Sequence, residues 1–454
     1  MKPATEKIRD FWMSKKAKTV YIDTLGCPKN ISDSEVAAGN LEAAGFSIVD
    51  DPESADIIMV NTCGFIEDAK KESIEHIFQM DEARKEGAKL VISGCLAQRY
   101  AQELFDEIPE ADLIIGVNEY ERIGELFRDL GTRRAISGPC NLAPLEKSFR
   151  RYRETPYSAS LKIAEGCNNR CTYCVIPQIR GPYRSKKMED ILEEARDLAA
   201  HGCKELILIA QDVAYYGLDL YKKKMLAPLL NELCKIEGIR WIRLMYCYDD
   251  RIDDELIRVM AAEEKICPYI DIPLQHASDR ILKAMRRNST RASIHKTLAK
   301  LRAAIPDICI RTTLIVGFPG ETEEDYEELV KMVEEEGFGR LGVFAYSQEE
   351  GTPAGEMPDQ IEAEVKEARL DGIMMRQMEI SRAHNESLIG RTLLCFVEGQ
   401  EEDGTYIGRT VYDAPEIDNG VVFTSDRELK RGDMVPVLIR DAFDYDLSGV
   451  AVNE

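Results

Sequence analysis

The chain has 454 residues, more than one ordinary hydrophobic core supports, so two to three domains are expected. Hydrophobic residues make up 44% and charged residues 31%, a globular balance, and no run of about 18 uninterrupted apolar residues offers a membrane span. The formal net charge of −23 argues against a nucleic-acid partner, because phosphate contacts call for a basic face, and favours a small-molecule or basic-protein substrate. The opening stretch, Met1 to Asp23, carries charges without a continuous apolar core, which predicts no secretory leader and a cytoplasmic location. Thirteen cysteines, an odd number, then point to metal ligation before disulfides.

In the first third, β-branched apolar runs recur at Thr19–Ile22, Ile57–Val60, Leu90–Ile92 and Leu113–Ile115, each read as a buried parallel strand. Helical patterns lie between them. The first is predicted to begin at Ser32, with Glu35 completing a capping box. The second, over 68–86, carries Ile74, Ile77, Phe78 and Ala83 on one side. This β-α alternation implies a doubly wound parallel sheet with helices on both faces. Three of the strands are followed within five residues by a cysteine: Cys27 in TLGC, Cys63 in NTCG and Cys95 in SGCL. Ligands of such sheets gather at the carboxyl ends of the strands, so these thiols should converge despite spacings of 36 and 32 residues. Three thiolates suit a 4Fe-4S cluster with one open iron. Three buried structural thiols are the alternative.

The second cysteine group is tighter. Residues 161–184 read LKIAEGCNNRCTYCVIPQIRGPYR, placing Cys167, Cys171 and Cys174 in a CxxxCxxC loop after a strand and before a helix. Structural zinc asks for four ligands, and the next candidates, His201 and Cys203, lie beyond a predicted helix. A cubane with one open iron fits better, and an open iron beside bound S-adenosylmethionine permits reductive cleavage to a 5′-deoxyadenosyl radical. Tyr173, between the last two cysteines, is placed to pack near the adenine. Strands recur at 161–164, 205–210, 241–246, 269–272, 309–316 and 341–346 with helices between, including an amphipathic one at 187–201. Six βα units make an open (βα)6 partial barrel with its site at the carboxyl ends. Those ends carry Gln211 and Asp212, Gln275 and His276, and the turn GFPGET with Gly317, Gly320 and Glu321. Gln211, Asp212, Gly317, Gly320 and Glu321 are the candidate cofactor contacts; an ordinary Gly-Pro turn and a satisfied polar histidine are the alternatives.

From residue 385 onward, short strands at 393–397, 405–410, 421–423 and 434–439 are separated by glycines, predicting a small antiparallel barrel. This part holds 15 acidic against 6 basic residues, a balance that repels phosphate and suits a basic protein partner, or a merely solvated face.

The order of a three-cysteine domain (18–145), a CxxxCxxC domain (150–384) and a terminal barrel (385–454) resembles the radical S-adenosylmethionine methylthiotransferase family over essentially the whole chain beyond the first 17 residues. The expected fold is therefore α/β multidomain, with a TRAM-like barrel last. The resemblance implies an auxiliary 4Fe-4S cluster on Cys27, Cys63 and Cys95, and a radical-generating 4Fe-4S cluster on Cys167, Cys171 and Cys174. Family members act on tRNA adenosine or on an aspartate of a ribosomal protein. Pro28-Lys29 in TLGCPKNISDSE, CVIPQIRG (174–181) and DAPEID (413–418) are similar to the ribosomal-protein class, whose small-subunit substrate is basic. The implied reaction consumes two S-adenosylmethionine molecules and needs a reducing electron donor: one methylates sulfur at the auxiliary cluster, the other yields the radical that removes hydrogen from the aspartate β-carbon. No catalytic residue beyond the cluster ligands is assigned. Cys140, Cys203, Cys234, Cys247, Cys267, Cys309 and Cys395 match no ligand position and are expected to be packing thiols.

Overall fold

The computed structural model describes residues 17–139, 145, 150–151 and 157–452. Two compact units emerge: residues 1–153 with Ile176–Pro182, and residues 154–175 with 183–454. In the first unit, β1 (Thr19–Thr24), β2 (Ser47–Ile48), β3 (Ile57–Thr62), β4 (Lys89–Gly94), β5 (Leu113–Ile115) and β6 (Arg134–Ile136) form a parallel sheet in the order β2-β1-β3-β4-β5-β6. The strands are apolar at consecutive positions because both faces are covered. Ile57, Met59 and Val91 pack with Phe127 on one face, while Ile58, Val60, Leu90 and Ile92 pack with Ile77 and Leu104 on the other. That alternation makes the sheet doubly wound.

Two local expectations change. The first helix starts at Pro28 and runs to Ala43, four residues before Ser32, with Cys27 as its N-cap. Proline fits the first helical turn because its missing N–H has no partner to lose there. Ser34 serves the strand edge instead: it receives Thr24 Oγ1 at 2.7 Å and Asn61 Nδ2 at 2.9 Å. In the helix Glu67–Ala83, only Ser73 and Ile77 are buried; Ile74 and Phe78 are exposed, because the sheet covers a stripe narrower than the apolar pattern.

The second unit opens with β7 (Ser158–Lys162), then a two-stranded ribbon of β8 (Ala164–Glu165) and β9 (Arg184–Ser185) around the cysteine loop. β10 (Glu205–Ile209), β11 (Trp241–Leu244), β12 (Ile266–Gln275), β13 (Cys309–Val316) and β14 (Arg340–Ala345) follow, and the parallel order β14-β13-β12-β11-β10-β7 is an open six-stranded sheet. The helix Met188–Ala200 buries Ile191, Leu192, Ala195 and Leu198, a stripe at helical spacing. The remaining strands, β15 (Thr392–Gln400), β16 (Tyr406–Arg409), β17 (Val421–Thr424), β18 (Met434–Ala442) and β19 (Leu447–Ala451), close a barrel, one strand more than the sequence pattern offers.

Barrel and sheet are not separate cores. Ile207, Trp241 and Tyr269 of the sheet share one apolar cluster with Phe396, Val437 and Leu447 of the barrel, and Trp241 meets Phe396 edge-on at 4.5 Å. Buried ion pairs join them near the amino ends of the strands: Glu205 with Arg243 and Arg409, Arg311 with Asp418, and Arg340 with Asp413 at 2.6 Å. Asp413 and Asp418 of the DAPEID segment are thus turned inward. The acidic surface of the barrel is carried by other residues, such as Glu401, Glu402, Asp403 and Asp426, which are exposed. No helix among the described residues is long and apolar enough to cross a membrane.

Candidate functional site: two cysteine-bearing strand edges

In the first unit the three cysteines lie at the carboxyl edge of the sheet. Cys27 follows β1 and caps the first helix, Cys63 follows β3, and Cys95 follows β4 as the first residue of the helix Cys95–Arg99. Two glycines draw the loops together. A Cβ on Gly26 (φ +87°) would lie 2.8 Å from Cys63 Cβ, and one on Gly64 would lie 2.7 Å from the Leu96 nitrogen. The first loop thus rests on the second and the second on the third. Asn30 spans them from below, donating Nδ2 to the Leu25 carbonyl at 2.9 Å and to the Thr62 carbonyl at 3.2 Å.

Arg180 completes this edge. Its Nη1 lies 2.5 Å from Asp33 Oδ2, and its Nη2 donates to Asn30 Oδ1 at 2.8 Å and to Cys95 Sγ at 3.2 Å. Burial pushes the Cys95 thiol up to about 12, against the pull of Arg180, and also raises Cys63. An iron centre bound here would supply the positive charge that offsets the desolvation of thiolates. Among the described residues no three His, Cys, Asp or Glu side chains are arranged to hold a single metal ion. A cubane instead takes thiolates on separate iron corners, which the convergence of loops accommodates.

In the second unit the CxxxCxxC loop leaves the β8 strand through Gly166 (φ +78°). Its backbone is held on several sides. Asn169 N–H donates to Cys167 Sγ at 3.4 Å, Thr172 N–H to the Met285 carbonyl at 3.1 Å, and Ala354 N–H to the Thr172 carbonyl at 2.9 Å. Arg251 binds both Asn169 Oδ1, at 2.7 Å, and Asp212, so the loop is tied to the carboxyl end of β10. Burial raises Cys167 to about 11 and Tyr173 well above the phenol range. Cys171 Sγ lies 4.0 Å from Tyr248 Oη, and the Arg287 guanidinium stacks 4.1 Å from the Tyr248 ring. Arg287 Nη1 is buried with no partner, a donor left over beside a site meant for an anionic centre.

The candidate cofactor contacts divide. Gln211 Oε1 and Asp212 Oδ1 are buried without partners, while Gln211 Nε2 donates to Glu165 Oε1 at 3.1 Å. Burial lifts the Asp212 carboxyl to about 6 despite the adjacent Arg251. Glu321 is differently employed: it accepts from the Gly317 N–H at 2.9 Å, from Arg369 Nη1 at 2.7 Å and from His276 Nε2 at 3.3 Å. His276 Nδ1 accepts from the Ser278 N–H at 3.0 Å, so both ring nitrogens are occupied. Gly317 (φ +70°) is needed for packing, since a Cβ there would lie 2.3 Å from Lys366 Cγ; Gly320 (φ +75°) has open space with Arg280 at 4.0 Å. Two strand ends are strained, with Tyr246 at φ +58° and Gln275 at φ +73°. The sequence reading passed over Gly26, Gly64, Asn30, Arg180, Glu165 and Arg287. Only the glycines adjoining cysteines left a local signal; the others act across distances of sequence that spacing does not encode. Cys203, Cys234, Cys247, Cys267, Cys309 and Cys395 are buried, and Cys140 lies outside the described residues.

Residues 19–116 match the uncharacterized protein family UPF0004, residues 161–333 the radical SAM superfamily, and residues 389–452 the TRAM domain. The chain is 49% identical over 442 residues to ribosomal protein uS12 methylthiotransferase RimO of Clostridioides difficile, covering 96% of this chain and 99% of that one. It is 50% identical over 435 residues to the protein of the same name from Caldanaerobacter subterraneus, covering 95% and 99%. Among solved structures, the radical S-adenosylmethionine methyltransferase TsrM of Kitasatospora setae, with tryptophan and a SAM analogue bound, superposes with a TM-score of 0.58 at 14% identity, covering 80% of this chain and 89% of that one. That likeness speaks for the fold alone. With its radical domain, its TRAM barrel and relatives near half identity along almost its full length, the chain belongs to the radical S-adenosylmethionine methylthiotransferase family and is an enzyme of that type.

Proposed function

We propose that this enzyme adds a methylthio group to the β-carbon of an aspartate in the basic small-subunit ribosomal protein uS12, using a cluster on Cys167, Cys171 and Cys174 and a second on Cys27, Cys63 and Cys95. The observation that carries the reading is the packing of three separate strand-end loops, through Gly26 and Gly64, into one cysteine-bearing edge, beside a radical SAM match over residues 161–333 that contains the CxxxCxxC loop. The relatives' name supports uS12 as substrate. When bound, the clusters supply the electron that cleaves one S-adenosylmethionine and the sulfur that a second methylates.

The chain's own part is to hold and orient. The anchored loop fixes three thiolates and leaves the fourth iron corner to the cofactor. Tyr173 would pack by the adenine, and Gln211 and Asp212, each with a buried unpartnered oxygen, would accept from the cofactor's hydroxyl or amine groups. Gly320 leaves backbone room, while Glu321 holds the Gly317 turn and His276 in place and reaches the cofactor only through them. Electrons come from an external reducing donor.

Anaerobic reconstitution with S-adenosylmethionine and reductant, offering uS12 and tRNA together, tests the reading by mass spectrometry. A methylthio group on a uS12 aspartate with unmodified tRNA is expected. Modified tRNA with unmodified uS12 overturns the substrate assignment. Cys171→Ser should abolish 5′-deoxyadenosine formation, whereas Cys63→Ser should retain it and lose sulfur insertion; identical behaviour of the two overturns the division of roles.

A further inference from the structure

We propose that Arg180 is a positioning residue for the auxiliary cluster, its guanidinium donating to the Cys95 thiolate and placing a fixed positive charge that raises the cluster's reduction potential. The inference rests on the reading of Cys27, Cys63 and Cys95 as cluster ligands. Arg180 is the last residue of the helix Ile176–Arg180, which packs with the first unit although it follows the CxxxCxxC loop in sequence. It is 2% exposed, and burying a guanidinium is unfavourable unless its donors are met.

Charge balance alone does not account for the geometry. Asp33, 2.5 Å from Nη1, partly offsets the guanidinium charge, and Asn30 Oδ1 accepts from Nη2 at 2.8 Å. The same Nη2 also reaches Cys95 Sγ at 3.2 Å. A thiol sulfur is a weak acceptor; a thiolate is a strong one, and charge-assisted bonds of this kind are about twice as strong as neutral ones. Cys95 Sγ also lies 3.6 Å from Asn30 Oδ1, a bond that needs the thiol hydrogen. Iron ligation would take the place of that hydrogen and leave the Arg180 N–H aimed at the sulfur. One-electron reduction of a cluster adds one negative charge to it, and a fixed cation with an N–H aimed at a ligand sulfur favours the reduced state. Asn30 shares the arrangement: its Nδ2 holds the first two cysteine loops while its Oδ1 steers Arg180.

The test uses the full chain carrying Cys167→Ser, Cys171→Ser and Cys174→Ser, so that only the auxiliary cluster is loaded, with dithionite as the one-electron reductant. An anaerobic redox titration followed by electron paramagnetic resonance gives its midpoint, and iron analysis gives its occupancy. Against this parent, Arg180→Leu should lower the reduced-to-oxidised ratio at fixed potential by about tenfold, equivalent to ~59 mV for one electron. Arg180→Lys should fall between them, and Asp33→Asn, which leaves the cation less compensated, should shift the ratio the opposite way. Unchanged midpoints at full iron occupancy overturn the proposal. If Arg180→Leu loses iron or fold, Arg180→Lys and Asp33→Asn decide it on the same readout. A parent that takes up no iron overturns the ligand reading and the proposal with it.

Discussion

Glu205 is the residue at which the barrel and the parallel sheet are most exposed to a single substitution. It opens β10 with its side chain fully buried, and Arg243 and Arg409 are 0% and 2% exposed. Arg243 Nε donates to Oε1 at 3.0 Å, Arg409 Nη2 and Ser158 Oγ donate to Oε2, and Arg243 continues to the Val411 carbonyl at 2.8 Å. Burial pushes the Glu205 carboxyl up, yet the two guanidinium groups outweigh it and hold the group below the ordinary carboxylate range. Glu205→Gln removes the charge shared by both cations while keeping the shape. Breaking a buried pair from one side costs about 3–5 kcal/mol, against a total of about 5–15 kcal/mol for a folded domain. At about 2 °C per kcal/mol in a large domain, the melting temperature should fall by about 6–10 °C. Urea unfolding followed by the fluorescence of Trp241, which sits against Phe396, reads the loss where it occurs. The apolar triple substitution Glu205→Leu, Arg243→Met, Arg409→Met should recover most of it, because the desolvation cost disappears with the charges. A loss under about 1 kcal/mol in Glu205→Gln, or a triple variant worse than the single, would falsify the claim that this triad holds barrel to sheet.

Further outcomes follow from the same geometry. Gly64→Ala should lower iron occupancy of the auxiliary site while sparing 5′-deoxyadenosine formation, since a Cβ would lie 2.7 and 2.8 Å from the backbone of Leu96; iron analysis and chromatography of the nucleoside check both halves. Gly317→Ala adds a methyl 2.3 Å from Lys366 Cγ at φ +70° and should cost about 1–3 kcal/mol in urea melts. Asp325 accepts from Ser278 Oγ at 2.6 Å and from the Thr322 N–H at 2.9 Å, and these bonds, outweighing burial, hold it near 2. Its contribution is present above pH about 4 and fades as pH falls toward 2. Asp325→Asn should therefore cost about 1 kcal/mol at pH 7, with the gap to wild type narrowing across that window in acid titrations.

Much of the candidate site is legible in the sequence because its signals are local. Cys167, Cys171 and Cys174 fall within eight residues, and Cys27, Cys63 and Cys95 each follow a run apolar enough to be a two-faced parallel strand. The strand order and the parallel pairing of β17 with β19 in the closed barrel are not encoded in that periodicity. Local rules fail where one residue is claimed by two demands. Ser32 and Glu35 satisfy a capping pattern, but Pro28 can open the helix earlier, and doing so puts Cys27 at its positive end. Ile74 and Phe78 satisfy a helical stripe with no surface to cover them.

By itself the sequence determined the two cysteine groups, the βα alternation and the terminal barrel, all consequences of spacing along a strand or helix. Tertiary structure alone decided what the charges do. The acidic count of the terminal part says nothing of direction, yet Asp413 and Asp418 are drawn inward by Arg340 and Arg311. Glu321 reads as a cofactor ligand in its turn and proves to be held by Arg369 and His276. Arg180 reads as one more basic residue and lies against Cys95, 85 positions away. Periodicity fixes which face a residue occupies, but a charge takes its role from partners that only folding brings within reach, and a buried charge is stable nowhere else.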